Sequence, residues 1–325
     1  MNKKITIMPA GIQFDAQASV SVLQSALNAG YSINYSCMQG DCNECEAILL
    51  QGSMSTLKGQ VIDQSNILTC MCMPETDCII EAEYYPELDD VKRIVVAAKV
   101  DEINFPTLDV AIILFRLPPT TNLKYLAGQY VELSFDGITR SYSVANSPCS
   151  LNKIELHVKR VDGGAMSEKV FNAWQKNTLV RLTGPVGTFF VRESKHSLVF
   201  LVTGTGFAPV KAVVEDLINK DDVRQIYIYW GGRTEIDFYS KLPLDWQASH
   251  KNITFIPVLS CANSDWQGRN GYIQNAMVKD FSEYSAIDVY ACGSPAMIAD
   301  AKALLINKGL PKKQFYSDAF IATTA

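Results

Sequence analysis

Cys37-Met38-Gln39-Gly40-Asp41-Cys42-Asn43-Glu44-Cys45, with Leu68-Thr69-Cys70 further on, decides how the first quarter of this chain is read. Three cysteines in a C-x4-C-x2-C loop and a distant fourth form a donor set for two irons bridged by two sulfides, a [2Fe–2S] cluster. Such a cluster needs four thiolates, and a tight loop must wrap three of them around one side. Gly40 lets the backbone come close without a side-chain clash. Asn43 tolerates the left-handed conformation that a tight loop demands. Backbone N–H groups of the loop can donate to the sulfurs and tune the potential. A zinc site would space its ligands as two close pairs, and one stretch here supplies three. Plain buried thiols would not need the spacing at all. Cys70 and Cys72 compete for the fourth position, with Cys72 and Cys78 otherwise read as core thiols.

Six of the 9 cysteines crowd the first quarter: Cys37, Cys42, Cys45, Cys70, Cys72 and Cys78. An odd count without a secretory signature favours cluster ligation over disulfides. Lys3 and Lys4 precede an apolar stretch that stops at Pro9, too short for a signal peptide. No apolar run reaches the roughly 18 residues of a membrane span. A cytoplasmic protein without a membrane partner is expected. The net charge of -5 excludes the basic footprint of a nucleic-acid binder.

The 325 residues divide into three segments. In residues 1–88, alternation of Ile5 and Ile7 suggests a strand, and 12–14 its partner. Ser19 or Ser21 can cap a short helix with Val22, Leu23, Ala26 and Leu27 on its apolar face, ending at Gly30. Tyr84-Tyr85-Pro86-Glu87-Leu88-Asp89-Asp90 reads as a boundary. Residues 92–193 hold short strands over 94–96, 110–115, 130–135, 140–144 and 154–159, punctuated by Gly and Pro, as in an antiparallel barrel. Residues 197–325 alternate strands (198–202, 226–230, 253–259, 288–291) with helices, which implies a mostly parallel sheet. One helix carries Val210, Val213, Val214 and Leu217. Another carries Met297, Ile298, Ala301, Leu304 and Leu305 and stops at Gly309. The fold class is therefore multidomain, α+β followed by barrel and α/β.

In the second segment, Arg140-Ser141-Tyr142-Ser143 lies on a strand, where alternation puts Arg140 and Tyr142 on one face. Gly128-Gln129-Tyr130 precedes it. Gly163-Gly164-Ala165-Met166-Ser167 follows and is expected to open a helix at Ser167, whose N–H groups and dipole can hold a phosphate. Gly184-Pro185-Val186-Gly187 reads as a turn closing the barrel. In the third segment, Gly204-Thr205-Gly206-Phe207-Ala208-Pro209 runs from strand to helix as G-x-G-x-x-P, and a proline fits the helix start. Cys292-Gly293 ends a later strand, where ligands of open α/β sheets bind.

These motifs in this order resemble the bacterial iron–sulfur flavoprotein reductases of the ferredoxin–NADP reductase superfamily. The resemblance covers nearly the whole chain. The longer stretches 84–88, 140–146, 187–193, 206–211 and 315–320 are most similar to the reductases of 3,6-dideoxyhexose synthesis. The resemblance implies a β-grasp plant-type ferredoxin domain, an FAD-binding barrel and an NAD(P)-binding domain. It makes Cys37, Cys42, Cys45 and Cys70 the cluster ligands, because Leu-Thr-Cys matches the family pattern. Arg140 would pair with the flavin pyrophosphate, Tyr142 would lie against the isoalloxazine, and Ser143 would bond near N5. Gly164, Met166 and Ser167 would hold the flavin phosphates. Gly204, Thr205, Gly206 and Pro209 would cradle those of the nicotinamide cofactor. Cys292 and Gly293 would lie beside the nicotinamide, Asp318 near N5 or the nicotinamide, and Phe320 over the flavin. Arg233, with acidic neighbours, points to NADH, with NADPH possible.

The implied function is electron transfer from NADH through FAD and the [2Fe–2S] cluster to a partner enzyme. That partner would be a pyridoxamine-phosphate/[2Fe–2S] sugar dehydrase, which completes C3 deoxygenation of a CDP-4-keto-6-deoxyhexose. The alternatives are the reductase component of an aromatic oxygenase and a non-catalytic iron–sulfur redox sensor.

Overall fold

The computed structural model describes residues 2–57, 59–63, 65–150 and 152–320. They fall into two compact units, residues 1–92 and 93–325.

The first unit contains β1 (Asn2–Met8), β2 (Ile12–Gln17), α1 (Val22–Asn28), β3 (Glu46–Gln51), β4 (Ser53–Thr56), β5 (Val61–Asp63), β6 (Asn66–Leu68), β7 (Cys72–Pro74) and β8 (Cys78–Glu81). The main sheet runs β2-β1-β8-β3-β6, and β5-β4-β7 form a second, small sheet. β1 pairs antiparallel with β2, placing Ile5 opposite Phe14, and parallel with β8. A helix packed on such a mixed sheet is the β-grasp arrangement. Of the two possible caps, Ser21 is the one used: its hydroxyl accepts the Gln24 N–H at 3.2 Å. α1 then buries Val22, Leu23 and Ala26 and ends with Gly30 at φ +87°. The stretch 84–88 is not slack chain. Tyr85 and Leu88 are buried, and the Tyr85 N–H bonds Ser32 O at 2.9 Å.

The second unit opens with a barrel of β9 (Ile94–Thr107), β10 (Val110–Arg116), β11 (Tyr130–Phe135), β12 (Ile138–Ser143), β13 (Lys153–Lys159) and β14 (Leu179–Val186), with α2 (Ala165–Ala173) before the last strand. The strands run in the order β12-β11-β14-β9-β10-β13. A single bridge between Val144 and Leu156 joins the two ends. Val100, Ile113, Phe115, Leu133, Val158 and Leu182 fill the interior, and α2 adds Met166 and Val170. Two expectations are corrected here. Gly184-Pro185-Val186 is not a turn but the end of β14, which pairs with both β9 and β11. The helix begins at Ala165 with Gly164 as its cap, two residues before Ser167.

The remaining elements are β15 (Ser197–Thr203), α3 (Phe207–Asn219), β16 (Ile226–Gly232), α4 (Leu242–Ser249), β17 (Ile253–Leu259), β18 (Arg269–Asn270), α5 (Ile273–Asp280), β19 (Ile287–Gly293), α6 (Pro295–Asn307) and β20 (Phe315–Ala319). They build a parallel sheet ordered β18-β17-β16-β15-β19-β20. β15 lies at its centre, and the chain order reverses between β15 and β19. Ligands of such sheets bind at that switch point, outside the carboxyl ends of the strands. Among the described residues no helix is long and apolar enough to cross a membrane.

Candidate redox site

In the first unit the four expected cysteines form two close pairs. Cys45 Sγ and Cys70 Sγ lie 3.2 Å apart. Cys42 Sγ accepts the Cys37 N–H at 3.5 Å, and Cys37 Sγ accepts the Gln39 N–H at 3.4 Å. Amides of the loop therefore do point at the sulfurs. Left-handed residues Met38, Gly40 and Asn43 make the sharp wrap possible. Thr69 fixes the fourth cysteine: its N–H bonds Cys45 O at 3.0 Å, and its carbonyl takes the Leu23 N–H at 3.0 Å.

The electrostatics show how closely the thiols are held. The hydrogen bond to Cys42 pulls Cys37 down to about 5, while Cys42 is pushed up by the same contact. Cys70 pulls Cys45 down to about 7 and is itself pushed up. The charge on Cys37 also bears on Cys45 and Cys70. Each pair thus shares one proton between two sulfurs, and one iron per pair would take that proton's place and let both cysteines bind as thiolates. Among the described residues no three His, Cys, Asp or Glu side chains converge on one ion. The two pairs fit a two-iron cluster, one iron to each pair. Cys72 is buried, with its thiol pushed up chiefly by burial, as expected of a core thiol.

In the second unit β12 and β20 bring distant residues together. Ser143 Oγ donates to Asp318 Oδ2 at 3.1 Å across 175 positions of sequence. Asp318 stands opposite Cys292 in the β19–β20 ladder. Cys292 is fully buried, and burial first, then the Asp318 charge, push its thiol well above the ordinary range. The Phe320 N–H bonds Gly293 O at 2.9 Å. Ser143, Cys292, Gly293, Asp318 and Phe320 thus share one corner.

Arg140 and Tyr142 lie on one face of β12, opposite Leu133 and Val131 of β11. The Arg140 guanidinium donates to Thr139 O at 2.9 Å. Burial raises Tyr142 to about 12, against the lowering influence of the Arg140 charge. A half-buried ring beside a guanidinium fork suits an aromatic isoalloxazine and a pyrophosphate. Space is open where a Cβ on Gly163 would stand, and the same holds at Gly204. Both turns lead directly into helices, α2 and α3, and so have room for a phosphate.

Gly206 and Gly293 are glycines for a steric reason. A Cβ on Gly206 would sit 2.4 Å from Cys292 O, and one on Gly293, where φ is +130°, 2.2 Å from Thr203 Oγ1. The turns leaving β15 and β19 therefore touch backbone to backbone at the switch point. Thr205 is buried in that turn, and Pro209 takes the third position of α3, where no intrahelical N–H is lost.

Three expected contacts change character. Ser167 Oγ is spent inside its own loop, 3.2 Å from both Val161 O and Gly164 O and accepting the Val161 N–H at 3.1 Å. Met166 turns its side chain into the barrel core, which leaves only backbone groups for a cofactor. Arg233 is exposed, and its N–H and that of Thr234 are held by Asp237 Oδ2 at 2.7 and 3.0 Å.

Sequence reasoning missed a buried polar chain on β13 and α3. Glu155, His157, Lys211 and Glu215 are joined by bonds of 2.8–3.1 Å. The pairing Lys211/Glu215 at i,i+4 was the available signal.

The chain matches three family descriptions in order: "2Fe-2S iron-sulfur cluster binding domain" over residues 5–75, "Oxidoreductase FAD-binding domain" over 97–191 and "Oxidoreductase NAD-binding domain" over 200–303. It is 45% identical over 324 residues to Protein RfbI of Salmonella typhimurium, covering 99% of this chain and 98% of that one. It is 42% identical over 326 residues, 99% of both chains, to the CDP-6-deoxy-L-threo-D-glycero-4-hexulose-3-dehydrase reductase of Yersinia pseudotuberculosis. The chain belongs to the family of CDP-hexulose-3-dehydrase reductases. These dehydrase reductases are iron–sulfur flavoproteins of the ferredoxin reductase type. More distant is the phenol 2-monooxygenase reductase component DmpP of Pseudomonas sp., 30% identical over 98% of this chain and 95% of that one. The fold is shared with the Amycolatopsis cytochrome P450 reductase GcoB, with TM-score 0.80 at 24% identity over 99% of this chain and 100% of that one. This chain is thus an oxidoreductase with domains for a [2Fe–2S] cluster, FAD and NAD.

Proposed function

We propose that this chain is the NADH-dependent reductase of a CDP-hexulose 3-dehydrase in 3,6-dideoxyhexose synthesis. When bound, the cofactors supply the redox chemistry: hydride acceptance at FAD, single-electron carriage at the cluster. The chain's residues bind and orient. Arg140 pairs with the flavin pyrophosphate and Tyr142 packs on the ring. Ser143 and Asp318 present a hydroxyl and a carboxylate where flavin and nicotinamide meet, with Cys292 behind them and Phe320 covering the flavin. Backbone groups of Gly164 and Met166, and of Gly204, Thr205 and Gly206, face the two sets of phosphates. Cys37, Cys42, Cys45 and Cys70 hold the cluster. Asp237 and Glu235 beside Arg233 favour a ribose 2′-OH over a 2′-phosphate, hence NADH. The partner is a pyridoxamine-phosphate dehydrase with its own [2Fe–2S] cluster. The assigned compartment is the cytoplasm, where thiols stay reduced.

The observation that carries this reading is the 42–45% identity along the whole chain to RfbI and the Yersinia reductase. The relative serving a phenol monooxygenase, at 30%, supports the second reading, an oxygenase reductase. The test mixes the purified protein with the dehydrase, CDP-4-keto-6-deoxyglucose and NADH. A 3-deoxygenated sugar nucleotide is expected. NADH oxidation without that product, together with electron delivery to an oxygenase component, overturns the proposal in favour of the second reading.

A further inference from the structure

Lys211 occupies an unusual place for a lysine. It lies in the first two turns of α3, where every residue from Phe207 to Val214 is buried, and is itself 8% exposed. Its ammonium has three N–H donors and three acceptors around it. These are Glu215 Oε1 on its own helix at 2.8 Å, Glu155 Oε1 of β13 at 3.1 Å, and the backbone carbonyl of Ala145 at 3.1 Å. Ala145 is two residues beyond Ser143. Its own N–H is bonded to Glu155 O at 2.8 Å, so the end of the β12 strand and β13 are gripped together.

The chain of contacts extends beyond the lysine. Glu155 Oε1 also meets His157 Nε2 at 2.8 Å, and His157 Nδ1 meets Tyr239 Oη at 2.8 Å. With the imidazole neutral, Nε2–H donates to the carboxylate and Nδ1 accepts from Tyr239. Glu215 Oε2 accepts the Ser147 N–H at 3.4 Å. The network thus connects the barrel to α3 and to the segment after β16.

Buried ion networks contribute little net stability compared with well-packed apolar residues of the same volume. At Lys211 the three N–H donors are matched by three acceptors on three segments of chain, which specifies how those segments meet. We infer that Lys211 is a positioning residue for hydride transfer: it locks α3, with the Gly204–Gly206 turn that leads into it, against the barrel strand ending in Arg140-Ser141-Tyr142-Ser143. The inference rests on the NADH-to-FAD reading above. The step it serves breaks the C4–H bond of NADH and forms an N–H bond at flavin N5. The two electrons travel with the hydride, leaving NAD+ and two-electron-reduced FAD. Lys211 touches neither cofactor and acts through the alignment of the two turns.

The test compares wild type with Lys211→Met and Lys211→Arg, all as FAD- and cluster-loaded full-length protein. Rapid mixing with NADH gives the rate of flavin bleaching at saturation. NAD+ titration gives Kd. Amide hydrogen exchange over 144–146 and 207–211 reports the lock without any turnover. For K211M we expect bleaching slower by about tenfold to 100-fold, since misplacement on the order of 1 Å costs that much. NAD+ affinity is expected to stay within about threefold, with faster exchange confined to those two segments. K211R keeps the cation and the fold but not the single N–H aimed at Ala145 O, and is expected to fall between the two.

A folded K211M that bleaches at the wild-type rate overturns the inference, as does a loss that lies wholly in Kd. If K211M does not hold its fold, K211R decides, and a wild-type rate with wild-type exchange at 144–146 overturns it. If wild type itself is not bleached by NADH, it is the underlying redox reading that fails, and the exchange data still report whether the lock exists.

Discussion

Gly206→Ala is the sharpest steric test of where the nicotinamide side must sit. Gly206 has φ −57° and ψ −13°, so alanine is at ease in its backbone conformation, and the substitution tests the contact alone. The new Cβ would stand 2.4 Å from Cys292 O and 2.7 Å from Cys292 C. β19 cannot retreat, because it is buried along its whole length between β15 and β20. The Gly204–Gly206 turn must therefore move, and reaching an ordinary 3.4 Å contact shifts it by about 1 Å. A displacement of that order costs roughly 100-fold in a reaction that depends on alignment. Overpacking of this kind costs about 1–3 kcal/mol, against the ~5–15 kcal/mol that holds a domain, so the variant should fold. The assay is anaerobic stopped-flow bleaching of the flavin by saturating NADH. Flavin and cluster absorbance, and cluster reduction by dithionite, serve as controls that should not change. Wild-type bleaching by a folded, flavin-loaded G206A would refute the reasoning, because it would mean that the contact between the two turns does not set the cofactor's position.

The remaining predictions concern the thiols and one histidine. Cys70→Ser should abolish the reduced-cluster paramagnetic signal while Cys72→Ser keeps it, as the 3.2 Å approach of Cys45 to Cys70 requires; the reverse outcome would transfer the fourth ligand to Cys72. Iodoacetamide at pH 8 should label the exposed Cys149 and Cys261 in the folded protein and leave Cys292 untouched, since Cys292 is buried and its thiol is pushed well up by burial; mass spectrometry of the digest reads the result. His157 is buried and held below its ordinary value chiefly by burial. The unfolded chain takes up a proton near pH ~6.5 and the folded chain only at lower pH, so stability falls as pH drops below that value, by at most about 1.4 kcal/mol per pH unit, until the folded His157 is protonated too. Melting measured from pH 7 to 5.5 should accordingly fall more steeply in wild type than in His157→Gln, and parallel curves would exclude the histidine as the cause.

What the sequence disclosed and what it hid have separate physical origins. The cysteine loop, the Arg140–Ser143 strand and the Gly204–Gly206 turn were legible because each is local chemistry. A cluster fixes the spacing of its thiolates, a strand fixes the alternation of Arg140 and Tyr142, and a backbone contact leaves room for nothing but glycine. The fold followed from the same periodicities, except where periodicity is weak. β14 alternates Leu179, Val180, Arg181 and Leu182 and then runs into Gly184-Pro185, whose composition reads as a turn although the β9 ladder reaches Gly184 and the β11 ladder resumes at Val186 after a register shift. Ser167 shows a subtler limit. Its type suits a phosphate site, but a hydroxyl can serve a phosphate or the loop that builds the site, and here three partners in the loop take it. Lys211 was only half legible. Glu215 at i,i+4 is a local signal, but the lysine's other partners, Glu155 and Ala145, lie 56 and 66 positions away, and no local pattern records that a lysine on an apolar helix will find a second carboxylate on a barrel strand. Binding chemistry is written in short motifs; the alignment of one bound group against another is written in long-range contacts such as Ser143 with Asp318, which only the folded chain brings together.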